Sequence, residues 1–224
     1  MSSFTALGLS TQTIPTTESD SKKMPADFIY LASQSPRRRQ LLEQLGVPHK
    51  LLLPDAGEDT EAIEIAQTGE APLSYVKRVT ELKLHAALLR RKARGLAPAP
   101  ILCSDTTVAL GRRIYGKPEN LAHARHMLSE LAGQTHRVLT AVSLGTDRRH
   151  VQSVSASRVG FAPLTRAQIE AYVATQEPMG KAGSYAVQGK AAAFISHISG
   201  SYSGIMGLPM YETNLLLRSM GVRF

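Results

Sequence analysis

Residues 28–46 read FIYLASQSPRRRQLLEQLG, and the change of rhythm within them decides the fold class. The run 28–32 is a short buried strand, while Leu41, Leu42 and Leu45 recur at helical spacing and Gly46 supplies a stop. Ser35 is the expected N-cap and Pro36 the first helical residue. Arg37 and Arg38 then fall in the first turn, where the helix dipole is already positive and an acidic residue would be the stabilising choice. Free first-turn N–H groups, the two serine hydroxyls of Ser33 and Ser35, and guanidinium forks together suit a phosphate oxygen. The competing reading is of arginines simply solvated at a surface helix end.

From Phe28 onward, strands and helices alternate. A helix is predicted over 71–94, a strand over 100–110, a turn at 111–113, and a helix over 119–132 closed by Gly133. Strands follow at 137–144 and 151–161 around a turn at 145–148, and Thr165 with Gln168 forms a capping box for a helix through Thr175. The last third holds a loop at 177–190, a strand near 191–198, a Gly-rich connection at 199–207 and a helix from Pro209. There is no internal repeat. The pattern is α/β, a mixed twisted sheet flanked by helices, in one domain or two lobes around a cleft. Residues 1–27, Ser- and Thr-rich without periodicity, read as a disordered tail in which Met24 is an alternative start.

Composition excludes several classes. With 43% hydrophobic and 20% charged residues the chain is expected to be soluble, and its apolar stretches are too short to cross a bilayer. The N-terminus lacks a basic-then-apolar signal pattern, so the expected location is the cytoplasm. One cysteine, Cys103, allows no internal disulfide and reads as core filling. A formal charge of +8 implies a polyanionic partner. Nucleic-acid surfaces interleave cations with stacking aromatics, yet this chain has no Trp and 5% aromatics, which favours a small phosphorylated molecule. The basic cluster 90–94 ends a helical pattern, where cations complement the dipole.

Asp105 stands in the strand PILCSDTTVAL, and a carboxylate buried there needs a reason. It is either a structural Asp bonded to a neighbouring donor, or it faces a cleft as metal ligand or general base. Nearby cations are Lys117 in the turn GKP and Lys83, which shares a helical stripe with Val76 and Val79. The segment MGKAGSYAVQGK at 179–190 sets three glycines around Lys181, Tyr185 and Gln188, and the Gln188 carboxamide can both donate to and accept from a base edge. Neither a Walker A loop nor a dinucleotide fingerprint is present. GSYSG at 200–204 centres on Tyr202, so it is no nucleophile elbow, and His123 and His126 read as a solvated helix face.

Taken in order, LASQSPRRRQLLEQLG, SDTTV at 104–108, GKP at 116–118, GQTHRVLTAV within 127–142, KAGSYAVQG at 181–189 and the ending YSGIMGLPMYET resemble the Maf family of nucleotide pyrophosphatases. The resemblance implies a two-lobed Maf/ITPase-like α/β fold around a central nucleotide-binding cleft. It implies a cytoplasmic, commonly dimeric enzyme that uses Mg²⁺ or Mn²⁺ to cleave nucleoside triphosphates between the α and β phosphates. Neither a membrane nor a stable nucleic-acid complex is expected.

By the same resemblance, Arg37, Thr106 and Gln188 occupy the specificity positions of the subgroup that acts on dTTP and UTP, and Asp105 the proton acceptor. Ser33, Arg37, Arg38, Glu58, Lys83 and Lys117 match its other active-site positions; Arg37, Lys83 and Lys117 are expected to bind the phosphates, and Glu58 with Asp105 to hold the metal. Three positions depart from many relatives: Gly180 stands in place of Asp, Leu82 in place of Glu and Ser104 in place of Ala. The alternative from a different class is a nucleic-acid-binding or regulatory protein acting on septum formation by association, which requires an exposed basic face with stacking residues.

Overall fold

The computed structural model describes residues 27–55, 57–58 and 62–224. The tail expected at 1–27 lies outside the described residues except for Asp27.

A seven-stranded mixed sheet forms the spine. Its order is β2 (His49–Leu51), β1 (Ile29–Leu31), β3 (Ile101–Leu110), β5 (Thr135–Gly145), β6 (His150–Phe161) and β7 (Ile195–Ser199), with β4 (Arg113–Tyr115) hairpinned onto the far end of β3. β1 runs parallel to both β2 and β3, and all other pairs are antiparallel. Helices α1 (Pro36–Gln44), α2 (Pro72–Ala93), α3 (Leu121–Leu131), α4 (Arg166–Val173), α5 (Tyr202–Met206) and α6 (Met210–Ser219) flank it.

Strand periodicity distributes the core. Leu102 packs with Leu41, Leu42 and Leu217 of α1 and α6, whereas Ile101 and Cys103 pack with Leu84 and Ala87 of α2. Alternate residues of β3 therefore meet different helices. A further core joins α3 and α4 to the far half of the sheet through Leu128, Leu131, Phe161 and Tyr172. Cys103 is fully buried and its thiol is pushed up to about 12 by burial, consistent with core filling.

The topology opens a gap. On one edge of β3, β1 pairs only as far as Leu102 and β4 begins pairing at Val108, so the intervening residues of β3 have no strand beside them there. The chain leaves the end of β1 for β2 on one side and reaches β3 on the other. That makes the end of β1 a topological switch point, where open α/β sheets place ligands.

Local chemistry was largely readable in the sequence. Pro36 is the first helical residue of α1, and the Thr165–Gln168 capping box caps α4 through both its bonds. Ser35 is the N-cap of α1 by position, but its hydroxyl makes no capping bond. The predicted strand at 191–198 is divided into a 3₁₀ turn at Lys190–Phe194 and β7, and the connection at 199–207 contains α5. The basic cluster does more than meet a dipole: Arg90 and Arg91 are buried, and Arg90 grips Glu58 and the Leu52 carbonyl while Arg91 pairs with Asp147. Arg94 holds Leu53 O and Asp55, so the cluster straps the segment after β2 onto α2.

Candidate active site

A cleft of about 670 Å³ occupies the gap beside β3. Its walls come from the β1–α1 turn, the middle of β3, Lys83 on α2, the turn after β4, the loop 180–188 and the α5–α6 connection. All the residues singled out from sequence line it: Ser33, Arg37, Arg38, Glu58, Lys83, Asp105, Thr106, Lys117 and Gln188.

One side is a chain of alternating charge. Lys83 Nζ lies 2.7 Å from Asp105 Oδ1 and 2.6 Å from Glu64 Oε1, and Lys117 Nζ lies 2.7 Å from Glu64 Oε2. Burial alone would lower the Lys83 ammonium, but the Asp105 and Glu64 carboxylates outweigh it and hold it above the ordinary lysine range. Burial would likewise raise the Glu64 carboxyl, and Lys83 and Lys117 outweigh it and hold it below the ordinary carboxylate range. Asp105 donates no space to solvent beyond 8% exposure, and its Oδ2 takes no hydrogen bond among the described residues.

Glu64 was not foreseen. The run GEDTEAIE at 57–64 offers four acidic residues without periodicity, so sequence could not choose between them. The 3₁₀ turn Ala62–Glu64 settles the position, because the Tyr75 hydroxyl donates to Glu64 O at 2.8 Å and Arg78 donates to Ile65 O at 3.0 Å. Glu58, expected beside Asp105 as a metal ligand, has both oxygens held by Arg90 at 2.7 and 2.5 Å. That charge-assisted fork holds its carboxyl down at about 2. Glu64, not Glu58, shares Lys83 with Asp105.

The opposite side is cationic without a carboxylate. Half-buried Arg38 donates through Nε to Gly207 O at 2.8 Å, through Nη1 to Ser33 Oγ at 3.3 Å and through Nη2 to Thr106 Oγ1 at 3.4 Å. Thr106 lies 3.0 Å from Thr140 Oγ1, which donates to Gly204 O, so Thr106 is held in the cleft floor. Arg37 donates only Nε, to Met206 O at 3.4 Å, and leaves its terminal nitrogens unbonded among the described residues. α1 has no acidic residue in its first turn, and its N-terminus remains open to an anion.

Backbone shape makes both walls possible. Gly207 has φ +122°, a conformation that side-chain-bearing residues rarely adopt, and its carbonyl accepts from Arg38 Nε. Gly183, at φ +67°, brings the loop 180–188 so close to Val108 that a Cβ would lie 2.9 Å from its methyls. Beneath this loop, buried Tyr185 bonds His136 Nε2 at 2.8 Å, and both rings stack edge-on against Phe161. Gln188 sits exposed at the loop's end, its carboxamide without a hydrogen bond among the described residues.

The remaining sequence features are structural. Ser201 caps α5, and Ser203 accepts from Met210 N at the start of α6, so GSYSG serves caps and not catalysis. His126 is exposed and 3.5 Å from Glu130 on its own helix. Ser104 contacts the carbonyls of Ala141 and Gly207, Leu82 is half exposed, and Gly180 has open space where a side chain would stand. No group of three His, Cys, Asp or Glu able to hold a metal occurs among the described residues.

A switch-point cleft with a cationic helix N-terminus facing a Lys-linked pair of carboxylates defines an α/β protein built around a phosphorylated ligand. A family model described as Maf-like protein matches residues 28–220, and the chain belongs to the Maf family. It is 66% identical over 201 residues, 89% of this chain and 100% of the relative, to a dTTP/UTP pyrophosphatase of Polaromonas sp.. It is 65% identical to a protein of that name from Albidiferax ferrireducens, over 88% of this chain and 99% of the relative. The corresponding identity to one from Cupriavidus metallidurans is 57%, over 88% and 98%.

Proposed function

We propose that this chain hydrolyses dTTP and UTP at the α–β phosphate bond, releasing the nucleoside monophosphate and pyrophosphate. The observation that carries the reading is the division of one cleft into a carboxylate–lysine chain and a carboxylate-free cationic wall. The names of the relatives support the substrates.

The α1 N-terminus and Arg37 bind the phosphate chain, and Arg38 fixes the wall that carries them by tying Ser33, Thr106 and Gly207 together. Lys83 and Lys117 offset charge at the other end. Asp105 accepts the proton of the attacking water through Oδ2 while Lys83 keeps Oδ1 in place and the carboxylate ionised. Thr106 and Gln188 shape the base subsite.

The site fits a divalent ion. Glu64 and Asp105 carry the hard carboxylate oxygens that Mg²⁺ and Mn²⁺ take; three of the four accept from Lys83 or Lys117, so an ion would take the place of a lysine bond there while Asp105 Oδ2 stays free, with substrate phosphates and water completing its shell. When bound, the ion would neutralise phosphoryl oxygens and make water more acidic. We assign its holding to Asp105 and Glu64.

The resemblance further supports a cytoplasmic homodimer. No helix among the described residues is long and apolar enough to cross a membrane. The association-only reading is not favoured, because Arg37, Arg38, Lys83, Lys117 and Lys181 line one cleft that also holds Asp105. Steady-state pyrophosphate release from UTP, dTTP, CTP, ATP and GTP with Mg²⁺ or Mn²⁺ tests the proposal. Selective turnover of UTP and dTTP is expected; a preference for a purine nucleotide, or no turnover at all, contradicts it.

A further inference from the structure

One carboxylate closes the neck of the loop that carries Lys181 and Gln188. Glu177 is half-buried, and its Oε1 accepts from the Tyr172 hydroxyl of α4 at 3.0 Å. Its Oε2 accepts from the backbone N–H of Lys190 at 3.0 Å, and Ala191 N lies 3.5 Å from Oε1. Lys190 and Ala191 open the 3₁₀ turn Lys190–Phe194, whose first N–H groups have no partner within the turn. The carboxylate rests against Gly189, where a Cβ would collide with it. From inside the loop, the Lys181 ammonium donates to Glu177 O at 2.6 Å. Burial alone would raise the Glu177 carboxyl, and the N–H and O–H donors outweigh it and hold it below the ordinary carboxylate range.

Between its ends the chain is bent against its preference. Gln176 and Ser184, with φ of +62° and +63°, are the only non-glycine residues at positive φ among the described residues, and both belong to this segment. Side-chain-bearing residues keep that conformation only where their surroundings fix it. Two further bonds pin the middle of the loop: Gly183 N donates to Gly116 O at 3.1 Å, beside Lys117, and Tyr185 bonds His136. The Gln188 side chain has no bond of its own among the described residues, so its place in the cleft is set by the backbone that ends at Lys190. Glu177 itself does not line the cleft.

We propose that Glu177 is a positioning residue for the reaction. Without touching the nucleotide, its carboxylate holds the strained loop in the bend that presents Lys181 and Gln188 to the cleft and sets Gly183 against the turn of Lys117. This rests on the function proposed above. Without the clasp the loop relaxes, and the nucleotide has to order it on binding. Apparent affinity then falls with the fraction of molecules already in the competent bend. The contact between Asp105 and Lys83 lies on β3 and α2, outside the loop, so the chemical step of the bound nucleotide is preserved. The signature is a raised KM with kcat kept. A residue that only supports the fold would instead lower the melting temperature and the active fraction, which reduces kcat per chain and leaves KM in place.

The test is steady-state kinetics with UTP and Mg²⁺ for Glu177→Ala, Glu177→Gln and Tyr172→Phe, beside hydrogen exchange of the peptide containing Lys190 and Ala191. Glu177→Ala should raise KM by about tenfold or more with kcat within about threefold of wild type. Glu177→Gln, which keeps the volume and one acceptor oxygen, should raise KM less. Tyr172→Phe, which removes one donor and leaves the carboxylate on the backbone, should raise it least. In Glu177→Ala the two amides should exchange faster than in wild type, and α,β-methylene-UTP, which cannot be cut at the α–β bond, should restore their protection. An unchanged KM in Glu177→Ala, or a loss confined to kcat and melting temperature, overturns the proposal. Should that variant fail to fold, Glu177→Gln carries the same test, and an unchanged KM there overturns the proposal equally. Failure of wild-type enzyme on every nucleotide would overturn the pyrophosphatase reading and this inference with it, whereas wild-type turnover with unchanged KM in the variants overturns this inference alone.

Discussion

Lys83 Nζ and Asp105 Oδ1 meet at 2.7 Å, a helix cation against a strand carboxylate, and this contact organises the reactive side of the cleft. The pair is possible because Lys83 continues the stripe of Val76 and Val79, both fully buried against the sheet, so its stem is carried toward β3. Asp105 alternates with Cys103 and therefore points to the α2 side.

Asp105→Asn should reduce kcat by about 10²–10⁴-fold with little change in KM, because an amide cannot take the proton of water but keeps the shape of the site. Lys83→Met should be worse for the fold, leaving a buried carboxylate with no cation at a cost of about 3–5 kcal/mol. Single-turnover kinetics and urea unfolding of the two variants separate the effects. Near-normal kcat in Asp105→Asn would exclude it as the base.

The two glutamates at the cleft should behave differently. Glu64→Gln weakens the link between Lys83 and Lys117 and, under the proposed assignment of the ion to Asp105 and Glu64, removes a hard ligand, so turnover should fall and the half-saturating Mg²⁺ concentration should rise by about tenfold. Glu58→Gln instead loosens the Arg90 strap, lowering stability by about 1–3 kcal/mol with kcat changed by less than about threefold. Metal titrations of activity beside thermal melts distinguish them, and a Glu58 variant with the larger metal effect would return the ligand role to it.

How legible these features were follows from their range. Strand-to-helix rhythm, the Pro36 start, the Thr165 capping box and the buried Asp105 are local patterns, and each stands where sequence places it. Glu64 was invisible because its selection depends on Tyr75 and Arg78 reaching back from α2, a tertiary choice among four acids in one aperiodic run. The role of Arg90 was hidden for the same reason: a helix-end cation looks dipole-directed until the loop that it grips is known. Strand β2 and helix α5 are three and five residues long, too short to show a period.

His136 gives the fold a pH dependence of known sign. It is 1% exposed, its Nδ1 has no partner among the described residues, and burial holds the imidazole down at about 4 against a usual 6.5. Between those values the unfolded chain binds a proton that the folded chain does not, so stability is retained above 6.5 and lost as pH falls toward 4. The loss between pH 7.5 and 5 should be about 2 kcal/mol. Urea unfolding at the two pH values checks this, and His136→Gln should flatten the difference whatever its absolute stability. An unchanged slope in the variant would assign the pH dependence to other groups.

Water activated at Asp105 and attacking the α-phosphorus would leave its oxygen on the nucleoside monophosphate. Hydrolysis of UTP in ¹⁸O-water, with products resolved by ³¹P NMR and Asp105→Asn as the blank, tests it most directly. The expected result is ¹⁸O in the phosphate of UMP and none in pyrophosphate, with the signal lost in the variant. Label in pyrophosphate, release of UDP and orthophosphate, or undiminished turnover by Asp105→Asn would contradict it.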